Sequence, residues 1–160
     1  VLRDVEVARA DYLFMHSSDI DIDRYRQQGN YSFQYCRNVV IRNAVIDSKD
    51  AFWNTENVTV YDSKLTGEYL AWHSRNLRLV RCHISGTQPL CYAEGLVLED
   101  CTFDADADLA FEESVLQASI TGRITSVKNP TSGRIVADGY GEIIIDENIK
   151  APADCHIETR

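Results

Sequence analysis

Four stretches of sequence share one pattern and decide the fold: NVVI at 38–41, NVTV at 57–60, NLRL at 76–79 and GLVL at 95–98. Their first positions, 38, 57, 76 and 95, differ by a constant 19. One step back reaches DIDI at 19–22, and one step forward reaches Ser114 and Val115, after which the pattern weakens at Gln117. The chain is therefore built on an internal repeat, with five well-kept units and a sixth that decays.

Two more short segments accompany each stretch. A second apolar pair follows at a fixed offset, as Ala44 with Ile46 and Cys82 with Ile84, and a third segment precedes it at 33–36, 52–55, 71–74 and 90–93. Three segments with a period of two leave no room for a helix within one repeat. Short strands at a fixed repeat predict an all-β, right-handed parallel β-helix. A left-handed hexapeptide helix is disfavoured, because 19 is not a multiple of six.

One polar column runs along a corner of the predicted coils: Asp19, Asn38, Asn57 and Asn76. In coils about 4.8 Å apart, stacked amides can donate to the next coil and accept from the previous one. We expect these residues to form a structural ladder that offsets the cost of a buried turn. Gly67 and Gly86 share a column of the longest connection, where a turn favours glycine.

The repeat assigns the chain to one domain. Residues 1–114 are predicted to form parallel β-helix coils, and residues 115–160 the last coils and an irregular C-terminal cap of the same domain. An atypical terminal unit protects the open edge of a solenoid. Residues 1–7 have the pattern of a coil without a cap, and position 1 is not Met. We therefore expect a fragment, a processed product or a partner that covers this end.

These segments resemble a family of bacterial right-handed parallel β-helix proteins, domain of unknown function 3737. The motifs that carry the resemblance are KDAFWN at 49–54, ENVTV at 56–60, GEYL at 67–70 and SVKNP at 126–130. The resemblance covers nearly the whole chain and implies a fold similar to that of pectate lyases, with no established activity. Members of the family usually carry further coils before the point where this chain starts.

Composition argues against several classes of partner. The 160 residues include 16 Lys and Arg against 25 Asp and Glu, a net charge of -9, which argues against a nucleic-acid or anionic-membrane surface. No apolar run approaches the roughly 20 residues of a membrane span. The 5 cysteines form an odd set without a secretion signal or zinc-site spacing, which predicts reduced thiols and a cytoplasmic location.

The third segment offers a candidate binding surface. The small residues of this segment are predicted to point inward: Ser17, Cys36, Thr55, Ser74 and Ala93. Four residues two positions earlier should then also point inward: Met15, Trp53, Trp72 and Cys91. The outward stripe is then His16, Tyr35, Asn54, His73 and Tyr92, with Phe33 and Phe52 beside it. A shift of one residue would reverse these faces. Such a stripe suits sugar rings, but stacked aromatics can also stabilise the coils or lie in a dimer interface.

Two carboxylates are candidates for acid–base chemistry. Asp50 and Glu68 lie in the same connection of successive coils, and with His73 they could cleave a glycoside or eliminate from a uronate. The pair belongs to no specific motif. Loop carboxylates on an acidic protein are more often solvated charges.

Two acidic clusters have spacings that could suit Ca²⁺. Asp21 and Asp23 should project about 7 Å apart from one strand face, where Arg24 and Arg26 could neutralise them instead. The second cluster is Asp104, Asp106 and Asp108, which lacks the Gly and Glu of an EF-hand. We expect no metal and no other cofactor, with Ca²⁺ as the alternative.

The sequence favours a non-catalytic binding or assembly scaffold with a protein partner or a second copy of the chain. The alternative is a carbohydrate-binding or carbohydrate-active protein, similar to a glycoside hydrolase or polysaccharide lyase. It would use the stripe Tyr35, Asn54, His73 and Tyr92. The two hypotheses differ in whether the stripe is open to solvent or covered by a partner.

Overall fold

The computed structural model describes residues 1–149 and 154–160, and these contain strands and turns but no helix. The strands are β1 (Leu2–Ala8), β2 (Ser18–Gln28), β3 (Arg37–Asp47), β4 (Glu56–Tyr61), β5 (Lys64–Thr66), β6 (Arg75–Val80), β7 (His83–Ser85), β8 (Leu96–Phe103), β9 (Val115–Ile120), β10 (Arg123–Lys128), β11 (Ser132–Ala137), β12 (Gly139–Ile144) and β13 (Asp154–Thr159).

Parallel pairing between coils organises these strands. The main sheet follows the order β1-β2-β3-β4-β6-β8-β9-β11-β13, with β5 and β7 beside it, while β10 and β12 form a separate pair. Ile20 pairs with Val39, Val39 with Val58, and Val58 with Leu77, each one repeat further along the chain. The predicted β-solenoid is confirmed, with stacked coils of about 19 residues and about 8 turns.

Each regular coil has three sides. Strands β4 and β6 lie on the first side, and β5 and β7 lie on the second. The long strands β2 and β3 cover both sides and bend at Arg24 and Asn43, where φ is 54° and 53°. The third side is formed by segments such as 49–54 and 68–73. A single left-handed residue therefore makes the corner between the first and second sides.

The predicted polar column lies at the corner before the first side. Asn38, Asn57 and Asn76 have φ of 56°, 55° and 52°, a left-handed conformation that Asn tolerates better than most residues. Each Nδ2 donates to the side-chain oxygen one coil earlier, ending at Asp19, at 3.2 to 3.4 Å. The bonds therefore run opposite to the predicted direction, and the corner is exposed rather than buried.

The third side differs from the predicted β-strand. Every second residue there is left-handed, as at Tyr31, Phe33 and Tyr35 with φ of 62°, 59° and 57°. Backbone bonds still join the coils: the N–H of Tyr31 donates to the carbonyl of Lys49 at 2.8 Å, and that of Phe33 to the carbonyl of Leu13 at 2.9 Å. The alternating conformation keeps the contacts between coils without forming an extended strand.

The alternating backbone also changes which side chains are buried. Phe33 and Phe52 were predicted to lie outward beside the stripe, and this is wrong, since both are buried. Their rings stack at 4.9 Å within the core. An extended strand would place residues two apart on one face, but the left-handed turns place Phe33 inside and Tyr35 outside. The solenoid core is thereby filled by rings on its third side.

The coil length changes towards the C-terminus. Leu96 pairs with Leu116 rather than with Val115, and a bulge between Leu98 and Cys101 restores the register of the earlier coils, so that Cys101 pairs with Ile120. The next coil is shorter, because β11 starts opposite Val115 with Ser132. The main sheet continues through β9, β11 and β13 despite these irregular coils.

The corner at Gly67 gives a test of how closely the coils approach. A Cβ atom at Gly67 would lie 2.2 Å from the carbonyl oxygen of Ser48, whereas one at Gly122 would meet nothing within 4 Å. Both glycines have positive φ, 137° and 87°. We expect Gly67→Ala to lower the free energy of unfolding by roughly 3 kcal/mol or more, because strain and a backbone clash add.

The matched control is Gly122→Ala, which should cost only the backbone strain, about 1–2 kcal/mol. Urea denaturation measures both values. Equal losses in the two variants would contradict the close approach of the coils at Gly67.

Candidate functional site

The outward side chains of the third side form one surface, which we call the aromatic face. One column along it is Tyr12, Tyr31, Asp50, Tyr69 and Gln88, and a second is His16, Tyr35, Asn54, His73 and Tyr92. Each coil contributes one residue to each column. The predicted stripe is the second column, which the structure places outward, with Tyr35 48% exposed and Tyr92 half-buried.

Rings in these columns stack across neighbouring coils. His16 and Tyr35 lie 4.7 Å apart between ring centroids, with an angle of 12° between their planes. His73 and Tyr92 repeat this arrangement at 5.0 Å and 14°. Stacked rings stabilise a pair of coils by about 0.5–1.5 kcal/mol beyond the area they bury. The rings therefore stabilise the solenoid and also give the face a rigid surface.

A third column lies between these two, with Gln34 buried and Trp53 and Trp72 half-buried. Trp53 and Trp72 were predicted to point inward; both are half-buried, and their rings stack at 5.2 Å with 6° between the planes. The indole N–H of Trp53 donates to the carbonyl of Tyr69 at 2.7 Å, and that of Trp72 to Gln88 at 2.8 Å. Gln34 makes the equivalent bond to Asp50 at 2.9 Å. These bonds hold the two indoles in place between the two outward columns.

Asp50 and Asn54 interrupt the two columns in the same coil. At these positions a short polar side chain replaces the ring found in neighbouring coils. Oδ1 of Asp50 is buried without a hydrogen-bond partner. Burial raises the pKa of Asp50; Lys49 opposes this change, and Glu68 adds to it. The ionised carboxylate of Asp50 is therefore destabilising in the folded state.

The candidate acid–base residues lie on opposite edges of the aromatic face. Asp50 and Glu68 are neighbours, since the N–H of Asp50 donates to the carbonyl of Glu68 at 2.9 Å. His73 belongs to the other column. Trp72 lies between the columns, with edge contacts to Tyr69 at 5.1 Å and Tyr92 at 5.2 Å. Among the described residues, no hydrogen bond or ion pair joins the His73 side chain to either carboxylate.

The strand cluster proposed for Ca²⁺ has protein partners. Asp21 bonds to Arg3 at 3.1 Å and to Arg42 at 3.3 Å. Asp23 bonds to Arg24. The neighbouring coils therefore supply two of the cations, and the predicted Arg26 is not among them.

The loop cluster also bonds within the protein. Asp106 accepts the N–H of Gly86 at 3.1 Å, and Asp108 accepts the hydroxyl of Thr87 at 2.5 Å. Within residues 1–149 and 154–160, no group of three or more His, Cys, Asp or Glu side chains is placed to hold a metal ion.

A broad depression lies away from the aromatic face, on the second side. It has a volume of about 620 Å³. Two of its charged groups bond to each other: Arg81 bonds to both oxygens of Asp62 at 2.6 and 3.0 Å. The side chain of His83 lies 2.7 Å from the hydroxyl of Thr102 and 3.2 Å from Asp104. Arg81 and His83 thus have partners within the protein, and we assign the depression to the ion-paired wall of the coils.

Sequence reasoning missed the His83 group. His83 lies in one coil and Thr102 and Asp104 lie in the next, and His83 and Thr102 become partners through the pairing of β7 with β8. Hydrogen bonds from Ser85 and His83 hold the pKa of Asp104 below its usual range. These residues could have been predicted from the sequence, because His83 and Thr102 are separated by one full repeat of 19 residues.

The sequence model of a family described as protein of unknown function, DUF3737, matches residues 1–158. The chain belongs to this family. The predicted resemblance is thereby confirmed. No curated protein and no solved structure matches the chain. Since the DUF3737 description carries no function, the function has to be argued from the aromatic face itself.

All five cysteines are free, and only Cys155 is not fully buried. Burial raises the pKa of Cys91 to about 12. A hydrogen bond with Cys82, together with burial, raises the pKa of Cys101. Buried thiols such as Cys91 and Cys101 pack as small apolar side chains. No helix of the described residues is long and apolar enough to cross a membrane.

The partial burial of Asp50 in the aromatic face predicts a pH-dependent effect on the stability of the fold. Its pKa is raised in the folded state, so its ionised form destabilises the fold at neutral pH. The fold gains stability from this group as the pH falls through the folded-state pKa. We expect Asp50→Asn to raise the melting temperature at pH 7, and this advantage to vanish near pH 3, where the wild-type carboxyl is protonated.

Asp62→Asn is the matched control. The hydrogen bond from Arg81 lowers the pKa of Asp62, so this variant should lose stability at pH 7 and approach the wild type in acid. Melting curves between pH 3 and pH 7 measure both differences. A lower melting temperature for Asp50→Asn at pH 7 would show that its carboxylate stabilises the fold.

Proposed function

We propose that the protein is a non-catalytic binding protein and that the aromatic face is its binding surface. The observation that carries this proposal is the stacking of exposed rings across successive coils. Ring pairs at 4.7 and 5.0 Å hold Tyr35 and His73 in place before any ligand arrives. Rigid aromatic side chains lose little conformational entropy on binding, so such a face is suited to recognition.

The position of the acidic groups supports binding rather than catalysis. General acid–base chemistry requires groups within hydrogen-bond reach of one reacting bond. Asp50 and His73 lie on opposite edges of the face with Trp72 between them. A carbohydrate-active enzyme, the alternative function, would need these groups on the same side of a ligand.

Two kinds of ligand fit an aromatic face. A protein partner or a second copy of the chain would bury the rings in an interface, where Tyr and Trp are enriched. An oligosaccharide would stack on uncovered ring faces and bond to polar groups between them. The polar breaks at Asp50 and Asn54 favour the carbohydrate. Free cysteines support a cytoplasmic location as part of the proposal.

The test uses the 2 tryptophans of the chain, because both lie in the aromatic face. We expect tryptophan emission to change with an oligosaccharide of a mixed panel, or sedimentation velocity to detect self-association. The double variant Tyr35→Ala/His73→Ala should weaken either interaction at least tenfold, since each ring supplies about 1 kcal/mol or more of contact energy.

Three controls limit the interpretation. The circular dichroism spectrum of the double variant should match that of the wild type. Product release from an oligosaccharide would contradict the non-catalytic assignment. An unchanged affinity in the double variant would show that the binding surface lies elsewhere on the solenoid.

A further inference from the structure

Asn54 separates two stacked ring pairs of the aromatic face. His16 covers one face of the Tyr35 ring, and Tyr92 covers one face of the His73 ring. The other faces of Tyr35 and His73 are directed towards each other across Asn54. Two coil steps separate the two rings, a distance of about 9.6 Å. The short Asn54 side chain therefore leaves a gap in the column.

The gap has the width of one ring. A ring midway between Tyr35 and His73 would lie about 4.8 Å from each. That spacing falls within the 4.7 to 5.2 Å of the ring pairs already present in the face. A depression of about 310 Å³ opens beside the gap, lined by His16, Tyr35, Cys36, Arg37, Asn54 and Glu56. The gap is thus open to solvent on its outer edge.

The polar side chain of Asn54 at the base of the gap favours a ring with hydroxyl groups over a plain aromatic ring. Among the described residues, no hydrogen bond involves the side-chain amide of Asn54, which has one acceptor oxygen and two donor N–H groups. A plain aromatic ring would bury this amide without a partner, at a cost. A pyranose ring presents apolar C–H faces to Tyr35 and His73 and has hydroxyls at its edge for Asn54.

The charges around the face favour an uncharged sugar. Asp50 and Glu68 lie on the opposite edge, while Glu56 and Arg37 both line the depression beside Asn54, so neither sign of charge prevails there. Glu56 is paired with Arg75 at 3.4 Å. The net charge of -9 opposes the approach of an anionic ligand.

We propose that the gap between Tyr35 and His73 binds one uncharged pyranose ring of an oligosaccharide. The ring stacks on Tyr35 and His73, and its hydroxyls bond to the Asn54 amide. This ligand class rests on the binding function proposed above and refers to the same face. The site recognises the sugar without breaking a bond.

The decisive variant is Asn54→Tyr, which fills the gap with a ring. The left-handed φ of 54° at Asn54 is not an obstacle, because Tyr35 and Tyr92 have φ of 57° and 56° in the same column. We expect the variant to fold with an unchanged or raised melting temperature and to lose binding at least tenfold. Thr59→Tyr is the matched control, since it adds the same ring on the first side and should bind as the wild type.

The probes are cello-, manno-, xylo- and malto-hexaose, with hexagalacturonate as the charged comparison. Binding is followed by the emission of Trp53 and Trp72. Asn54→Ala keeps the gap open but removes the amide, and we expect about a tenfold loss of affinity. A neutral hexaose that binds the wild type and Thr59→Tyr, but not Asn54→Tyr, would support the site.

Three results would overturn the site. Unchanged binding by Asn54→Tyr, together with loss in Tyr35→Ala/His73→Ala, would place the ligand elsewhere on the aromatic face and leave the proposed binding function standing. Tighter binding of hexagalacturonate than of every neutral hexaose would refute the uncharged ring. No binding of any neutral hexaose would refute the site, while self-association lost in the double variant would still support the proposed function.

Discussion

Hydrogen bonding between successive coils is the constraint on which the rest of the structure depends. Each coil bonds its backbone to the coils on both sides, so a change of conformation in one coil has to be matched in the next. The corner between the first and second sides illustrates this. Asn43, Asp62 and Arg81 are chemically unlike, but all have φ between 50° and 53°. Backbone geometry repeats along the column even where the side chain does not.

Because the backbone geometry repeats in every coil, equivalent side chains of successive coils form columns whose contacts stabilise the fold. At the corner before the first side, the left-handed backbone favours Asn, and the amides of Asn38, Asn57 and Asn76 then bond along the column. On the third side, the same stacking brings rings within about 5 Å of one another. A surface built in this way is rigid, since each ring is held by the backbone bonds of its own coil and by the neighbouring ring.

The sequence predicts those features that recur once in every coil. The coils, the sheet register at Val39 and Val58 and the Asn column all follow from that repeat. The orientation of Phe33 could not be predicted, because alternating apolar residues occur both in strands and in a backbone with alternating left-handed residues. The His83–Thr102–Asp104 group also escaped prediction, since a single His and a single Thr have no pattern until the register joins their coils.

Asp50 and Asn54 are the positions at which a polar residue lies between ring-bearing coils of the aromatic face, and each costs the fold a stacking contact. A ring at Asp50 or at Asn54 would continue a stack that neighbouring coils already make, and would remove the unpaired Oδ1 of Asp50. Either polar residue alone would be an ordinary variation along a column. Both breaks occur in one coil, on either side of Trp53, where they leave a polar path across an otherwise ring-lined surface. In the binding function proposed above, a ligand that crosses the face would gain a polar partner on each side of the Trp53 indole, which explains why both polar residues occur in one coil.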